Sequence, residues 1–257
     1  MKTREKIIAL QAIVTKEVLR FSRIWIQTVL PPIITTALYF IIFGNLIGPR
    51  IGEMDGFGYM EFIIPGLIMM AVITNSYANV VSSFYGSKFQ RHIEEMLISP
   101  IPNYIILIGY VAGGVARGLI VGVAVTVVSL LFHPLNIHNL WVMFSMILLT
   151  AILFSLAGLI NGVYAKSFDD ISIIPTFVLT PLTYLGGIFY SINMLPDFWQ
   201  QLSLANPILY MVNAFRYGFL GISDISLLTS YAISIAFIIA LYLYSLHLLR
   251  KGHGIRT

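Results

Sequence analysis

The sequence predicts an all-α membrane protein of six transmembrane helices, and three observations predict it. Hydrophobic residues make up 58% of the 257 and charged residues 10%, too little polar surface to coat a soluble globule of this size. The apolar residues fall in runs of about twenty, the length that crosses a hydrocarbon core as helix. They do not show the short alternating segments of a transmembrane barrel. Finally, Lys and Arg sort into alternate connections, as the orientation of membrane helices requires.

The elements follow in order. Residues 1–25 carry Lys2, Arg4, Glu5, Lys6, Lys16, Glu17, Arg20 and Arg23, with no uninterrupted apolar core and no small-residue cleavage site, which excludes a signal peptide. Ile7, Leu10, Val14, Val18, Phe21 and Trp25 recur every three or four residues, with Lys6, Lys16, Arg20 and Arg23 on the opposite face. That pattern predicts an interfacial helix lying on the membrane. A soluble helix packed on another subunit is the alternative. The first span is 26–47, with Pro31 and Pro32 in its opening turns. A Gly-rich hairpin, Gly48 to Tyr59, leads into the second span, 61–84. The third, 103–132, is long enough to tilt or project past the bilayer. The fourth is 140–165, and Lys166 to Asp170 forms a tight polar connection. The fifth, 171–190, is broken by Pro175 and Pro181, and the sixth, 226–249, runs into the basic tail Arg250, Lys251 and Arg256.

Orientation follows from the basic residues near span ends. A cytoplasmic N-terminus puts Lys2, Arg4, Lys6, Lys16, Arg20, Arg23, Lys88, Arg91, Lys166, Arg250, Lys251 and Arg256 inside, and only Arg50 and Arg216 outside. Both termini are therefore expected in the cytoplasm, which requires an even number of spans. The net charge of +4 is accounted for by membrane edges and calls for no nucleic acid.

Several chemistries are disfavoured. With no cysteine there is no disulfide, thiolate metal site or cysteine nucleophile. No G-x-x-x-x-G-K-[ST], H-E-x-x-H or G-x-S-x-G occurs, so neither nucleotide hydrolysis nor intramembrane catalysis has a recognisable site. Every Asp and Glu lies in a connection, in the first helix or at a span edge, which weakens proton or sodium coupling. The expectation from these residues is a chain that is not an enzyme, with no metal or cofactor of its own.

Between the second and third spans lies Ser87-Lys-Phe-Gln-Arg-His-Ile-Glu-Glu-Met-Leu-Ile-Ser-Pro100. Phe89, Ile93, Met96 and Leu97 share one side of a helical wheel, and Lys88, Arg91, His92 and Glu95 the other, so 86–100 is expected to be an amphipathic helix ended by Pro100 and Pro102. An ordinary solvated connection is the alternative. Gly114, Gly118 and Gly122 form a small-residue ridge on the third span, which suits packing within the chain or dimerisation equally. Arg117, near mid-span, requires a partner. It is expected either to meet an anionic head group or to pair with a carbonyl or side chain of another span.

These features together resemble the ABC-2 type permeases. Arg91, Glu94, Glu95, Met96, Leu97, Ser99 and Pro100 resemble that family's first cytoplasmic loop, with its basic residue, acidic residue and Leu-x-x-Pro-like ending. Tyr59-Met-Glu-Phe-Ile-Ile-Pro-Gly66 is similar to its Y-x-x-F-x-x-P-G entry to the second span, and Leu195-Pro196, Trp199, Asn206-Pro207, Tyr210 and Arg216 to its L-P-x-x-W, N-P-x-x-Y and trailing Arg pattern. The resemblance covers nearly the whole chain, making 1–257 a single permease domain. It implies that 86–100 is a coupling helix docking in a separate ATP-binding subunit, with Lys88, Arg91, His92, Glu94, Glu95, Leu97, Ser99 and Pro100 at the contact. It also implies that 191–224 folds as outer re-entrant helices, with Pro196, Trp199, Asn206, Pro207, Tyr210 and Arg216 at an outer gate; Asn206 is a ready N-cap and Pro207 suits a first turn. An aromatic belt is the plain alternative for Trp199 and Tyr210. The expected assembly is two copies of this chain with two ATP-binding subunits, in the inner (plasma) membrane and in contact with its lipid, ATP and Mg belonging to the partner. Its expected cargo is a hydrophobic or amphipathic drug, lipid or glycolipid. An ATP-independent channel or carrier, or a membrane anchor for an ATPase, remains open.

Overall fold

Residues 2–252 are described by a computed structural model of the chain. Arg256, counted above among the inside charges, lies outside the described residues. The long apolar runs fold as helices because an isolated backbone in hydrocarbon must satisfy its own N–H and C=O groups. Among the described residues, five helices are long and apolar enough to cross a membrane: Trp25–Ile51, Tyr59–Phe89, Asn103–Ser129, Leu140–Tyr164 and Leu227–Lys251.

The chain begins with α1 (Thr3–Arg23), whose first turn is closed by Lys2 N–H donating to Glu5 Oε2 at 2.8 Å. It breaks at Ile24, and α2 (Trp25–Tyr39) continues through a π-helical stretch, Phe40–Ile47, into α3 (Gly48–Ile51). Pro31 and Pro32 fall inside α2 past its first turn, so the carbonyls of Gln27 and Thr28 lose their usual helical donors. The expected hairpin is β1 (Glu53–Met54) against β2 (Phe57–Gly58), turned by Asp55 and Gly56, both at positive φ, as a two-residue Asp-Gly loop requires.

The centre of the bundle is α4 (Tyr59–Phe89), buried along most of its length. After a two-residue corner comes α5 (His92–Ile98), then α6 (Asn103–Ser129) and α7 (Leu140–Tyr164), whose N-terminus is capped by Asn139 Oδ1 accepting from the amides of Trp141 and Val142. The glycine ridge of α6 faces α4: a side chain at Gly118 would meet Ser76, and one at Gly122 would meet Val72 Cγ2 at 2.8 Å. The ridge therefore serves packing within the chain.

The structure differs from the expected span 171–190. Helix runs only from Asp170 to Tyr184, as α8 (Asp170–Ile174), a π-helical turn (Pro175–Leu179) and α9 (Thr180–Tyr184). Pro175 and Pro181 account for the irregularity, and Thr180 Oγ1 donates to Pro175 O at 2.9 Å across the widened turn. The helix stops early because Gly187, at φ +71°, turns the backbone where other residues are strained. A single 3₁₀ turn (Ile192–Met194) precedes α10 (Asp197–Leu204) and α11 (Pro207–Leu220), and α12 (Leu227–Lys251) closes the bundle.

Two apolar cores mark its two ends. One joins Ile13, Ile93, Ile105, Val163 and Leu249, gathering α1, α5 and the adjoining ends of α6, α7 and α12 with their basic residues. The other joins Phe40, Met54, Phe62, Ile188, Ile208 and Phe215 around the β hairpin and α11.

Candidate functional site

At the basic end, α4 outlasts its expected limit of 84 and runs to Phe89, so the amphipathic helix is shorter than 86–100. The corner is made by Arg91, whose φ of +63° is left-handed and ends α4, with its N–H donating to Lys88 O at 3.0 Å. From there α5 is anchored by the buried Ile93 and stopped by Ser99, whose Oγ donates to Met96 O at 2.6 Å, and Pro100. Arg91, His92, Glu95, Ile98 and Pro100 are exposed; Glu94 and Leu97 are half-buried. Glu94 and Glu95 sit in the first turn, where the helix dipole favours negative charge. Two side chains depart from the wheel. Lys88 points into the chain, its Nζ donating to the carbonyls of Val163 and Ala165 at 2.7 Å each, and so ties α4 to the end of α7. Phe89 is exposed and packs edge-on against Phe168, which in turn meets Tyr85 at 4.9 Å. The connection carrying Phe168 is ordered by Asp170, whose Oδ2 accepts from the amides of Lys166 at 2.8 Å and Ser167 at 3.1 Å. The Lys166 hydrogen bond, with those of Ser167, holds the Asp170 carboxyl below the usual carboxylate range.

A polar ladder on α4, missed in the sequence, runs from this corner into the bundle. Ser87, Ser83, Asn79 and Asn75 recur every four residues and therefore share one face of α4. Each meets a charged side chain, in order. Ser87 Oγ accepts from Lys16 Nζ at 3.3 Å and from Tyr110 Oη at 2.8 Å. Ser83 Oγ donates to Glu17 Oε1 at 2.7 Å, and Asn79 accepts from Arg20 Nη2. Arg117 Nη2 of α6 donates to Asn75 Oδ1 at 3.2 Å. Glu17 is wholly buried and holds Arg20 at 3.5 Å and Lys16 at 3.7 Å. Helix α1 thus turns its Ile13, Glu17 and Phe21 side to the bundle, while Ile7, Ile8, Leu19 and Trp25 are exposed. Of the face expected to be polar, Arg20 is half-buried against α4 while Lys16 stays exposed and reaches Ser87 with its tip, because α4 supplies polar partners that water would otherwise provide.

Beyond the last rung lies a cavity of about 350 Å³ between α2 and α4, with Arg117 at its edge.

At the opposite end, Asn206 caps α11, its Oδ1 accepting from Ile208 N–H at 3.0 Å while its Nδ2 donates to Leu182 O at 2.6 Å. Pro207 occupies the first turn, and Tyr210 Oη donates to Leu204 O at 2.7 Å, tying α11 to α10. Pro196 precedes α10, on which Trp199 is exposed and packs edge-on against Phe198. Arg216 is buried, its guanidinium 3.9 Å from the centre of the Phe62 ring and its Nη2 donating to Gly187 O. Asp224, not foreseen as a site residue, accepts from Ser191 Oγ and the Ile192 amide, pinning the return of the chain.

A helical bundle with several apolar spanning helices that is polar along its central one, buries charge at mid-depth and presents a short exposed helix at its basic end defines a polytopic membrane protein. The model of the ABC-2 type transporter family matches residues 8–220, and the chain belongs to that family. It is 62% identical over 251 residues to the inner membrane transport permease YadH of Escherichia coli K12, covering 97% of this chain and 98% of that protein. It is also 22% identical over 241 residues to nodulation protein J of Rhizobium leguminosarum bv. viciae, covering 93% of each, and 22% identical over 211 residues to nodulation protein J of Rhizobium meliloti, covering 82% and 80%. The chain is accordingly a membrane transport permease subunit, and its family implies an ATP-binding partner subunit.

Proposed function

We propose that this chain is the permease of an ATP-driven exporter, two copies of it joining two ATP-binding subunits in the inner membrane, with ATP and Mg held by those subunits and no cofactor by this chain. The observation that carries the reading is α5: a short helix anchored by Ile93, with Met96 and Leu97 packed on the same core, and offering Arg91, His92 and Glu95 at the basic end of the central helix. A force applied there by a partner reaches α4 through the Arg91 corner, and α1 through the Lys16 and Glu17 rungs. The six-span reading completes this picture. The broken helix Asp170–Tyr184 serves as the fifth crossing, since Asn161 Nδ2 donates to Ile171 O at one end while Ile188 packs on Gly66 near the other. In the same reading α10 and α11 dip into the membrane from the outer side, both termini are cytoplasmic, and the cargo is hydrophobic or amphipathic.

The test is reconstitution. Wild-type chain coexpressed with an ATP-binding subunit should copurify with it and show ATP-dependent transport. Glu94→Lys with Glu95→Lys should lower complex yield or uncouple hydrolysis from transport, and unaltered yield with unaltered transport would sink the assignment. Flux down a gradient without any ATPase would favour a carrier.

A further inference from the structure

We infer that the cavity beside Arg117 binds the anionic head group of an amphiphile. The cavity, about 350 Å³, falls within the range of small ligand sites, about 300–1,000 Å³. Arg117 stands near the middle of α6, about 20 Å from either end at 1.5 Å per residue, where an unpaired charge is costly. A guanidinium has five N–H donors. Here one of them meets Asn75, itself held by Nδ2 donating to Ala71 O at 3.0 Å, and Arg117 Nε is buried with no hydrogen-bond partner. Among the described residues no carboxylate comes within 4.0 Å of it, since both ion pairs involve Glu17. The positive charge at this depth is therefore uncompensated by the chain and faces a space.

The walls of that space define the rest of the ligand. Leu67, Met70 and Ala71 of α4 and Pro31 of α2 are apolar and suit an acyl or ring system. Thr74 is exposed into the cavity, and its hydroxyl already donates to Met70 O. Helix α2 turns Ile26, Leu30, Ile34 and Leu38 outward, so the cavity lies one helix away from lipid. A charged head against Arg117 with an apolar body along α2 and α4 satisfies both the stranded guanidinium and the apolar wall. As a cargo site the assignment rests on the exporter reading; as a binding site it does not.

The experiment measures binding to the purified full chain in neutral detergent by native mass spectrometry, with dioleoylphosphatidylglycerol, dioleoylphosphatidylcholine and inorganic phosphate as separate probes. The expected result is at least a tenfold preference for phosphatidylglycerol over phosphatidylcholine and no retention of inorganic phosphate. Arg117→Gln should abolish the preference and Arg117→Lys should keep part of it, whereas Arg50→Gln, remote from the cavity, should leave it intact. Thr74→Trp fills the cavity from an exposed position while leaving residue 117 an arginine, and should also abolish the preference, which covers the case in which Arg117→Gln does not fold. Equal retention of both lipids, a preference unchanged in Arg117→Gln or Thr74→Trp, or retention of inorganic phosphate as strong as that of the lipid would overturn the inference. Loss of ATP-coupled transport with the lipid preference intact would instead count against the exporter reading alone.

Discussion

Arg20 Nη2 reaches both the side-chain and the main-chain oxygen of Asn79, at 2.7 and 2.9 Å, and so clamps the N-terminal helix to the central one. The contact is one rung of four, and the rungs are unequal. Asn79→Ala removes the side-chain acceptor of a half-buried guanidinium next to the fully buried Glu17, a charge-assisted bond whose loss costs about 1.5–3 kcal/mol. Ser83→Ala removes a charge-assisted bond of the same kind, about 1.5–3 kcal/mol, and leaves the wholly buried Glu17 with two cationic neighbours but no hydrogen bond, whereas Arg20 in Asn79→Ala keeps the main-chain oxygen of Asn79. Stepwise heating followed by size-exclusion chromatography should place Ser83→Ala at or below Asn79→Ala, with both below wild type. Wild-type stability in both would show that the ladder does not hold α1.

That ladder also shows where sequence reading stopped. The long spans were legible because a 20-residue apolar run has one physical solution in a bilayer. The corner at Arg91 was legible only in part: the wheel put Phe89, Ile93, Met96 and Leu97 on one side, of which Ile93 is buried and Phe89 exposed, but nothing local announces that α4 continues to Phe89 or that Lys88 turns inward onto Val163 and Ala165. Asn75, Asn79, Ser83 and Ser87 did carry a signal, the four-residue spacing of polar groups in a predicted span. It becomes a site only when α1 supplies charges to Asn79, Ser83 and Ser87 across 59 to 71 residues of sequence and α6 brings Arg117 to Asn75. Asn206 was the opposite case, since an N-cap is a local property and Asn206 caps α11 as its sequence position suggests.

Arg216 and Phe62 make the second prediction. The guanidinium carbon lies 3.9 Å from the ring centre, close enough for a desolvated cation–π contact, about 2 kcal/mol or more, and the group also bonds Gly187 O. Lysine presents a compact ammonium that cannot stack and bond in the same geometry. Arg216→Lys should therefore lower thermal stability nearly as much as Arg216→Gln, whereas Arg50→Lys, at an exposed position, should change nothing. A Lys variant as stable as wild type would mean that charge alone suffices there.

The short helix Asp170–Tyr184 supplies a test of the six-crossing reading. The chain has no cysteine, so each introduced cysteine reports alone. Ser167→Cys and Asn193→Cys flank the broken helix, and a membrane-impermeant maleimide should label them from opposite faces of the membrane, Ser167→Cys together with Glu95→Cys. Labelling of both flanking positions from one face would reduce the segment to a hairpin and leave an odd number of crossings.

Asp170 gives a pH dependence with a definite sign. Its carboxylate accepts the amides of Lys166 and Ser167, and its pKa in the folded chain lies below the ordinary value, about 3.9 for an unperturbed aspartate. A depressed folded pKa means that the ionised form favours the folded loop. The contribution is present above the unfolded value and is lost as pH falls through the folded one. The Phe89 and Phe168 contact should therefore stay ordered at neutral pH and through the upper carboxylate range, then loosen under stronger acid. Hydrogen exchange at the amides of Lys166 and Ser167, corrected for intrinsic rates, should show protection falling only in that acidic window. In Asp170→Asn the protection should already be reduced at neutral pH and should no longer depend on acidification, because the group that titrates is gone; protection that still falls with acid in that variant would assign the effect to another residue.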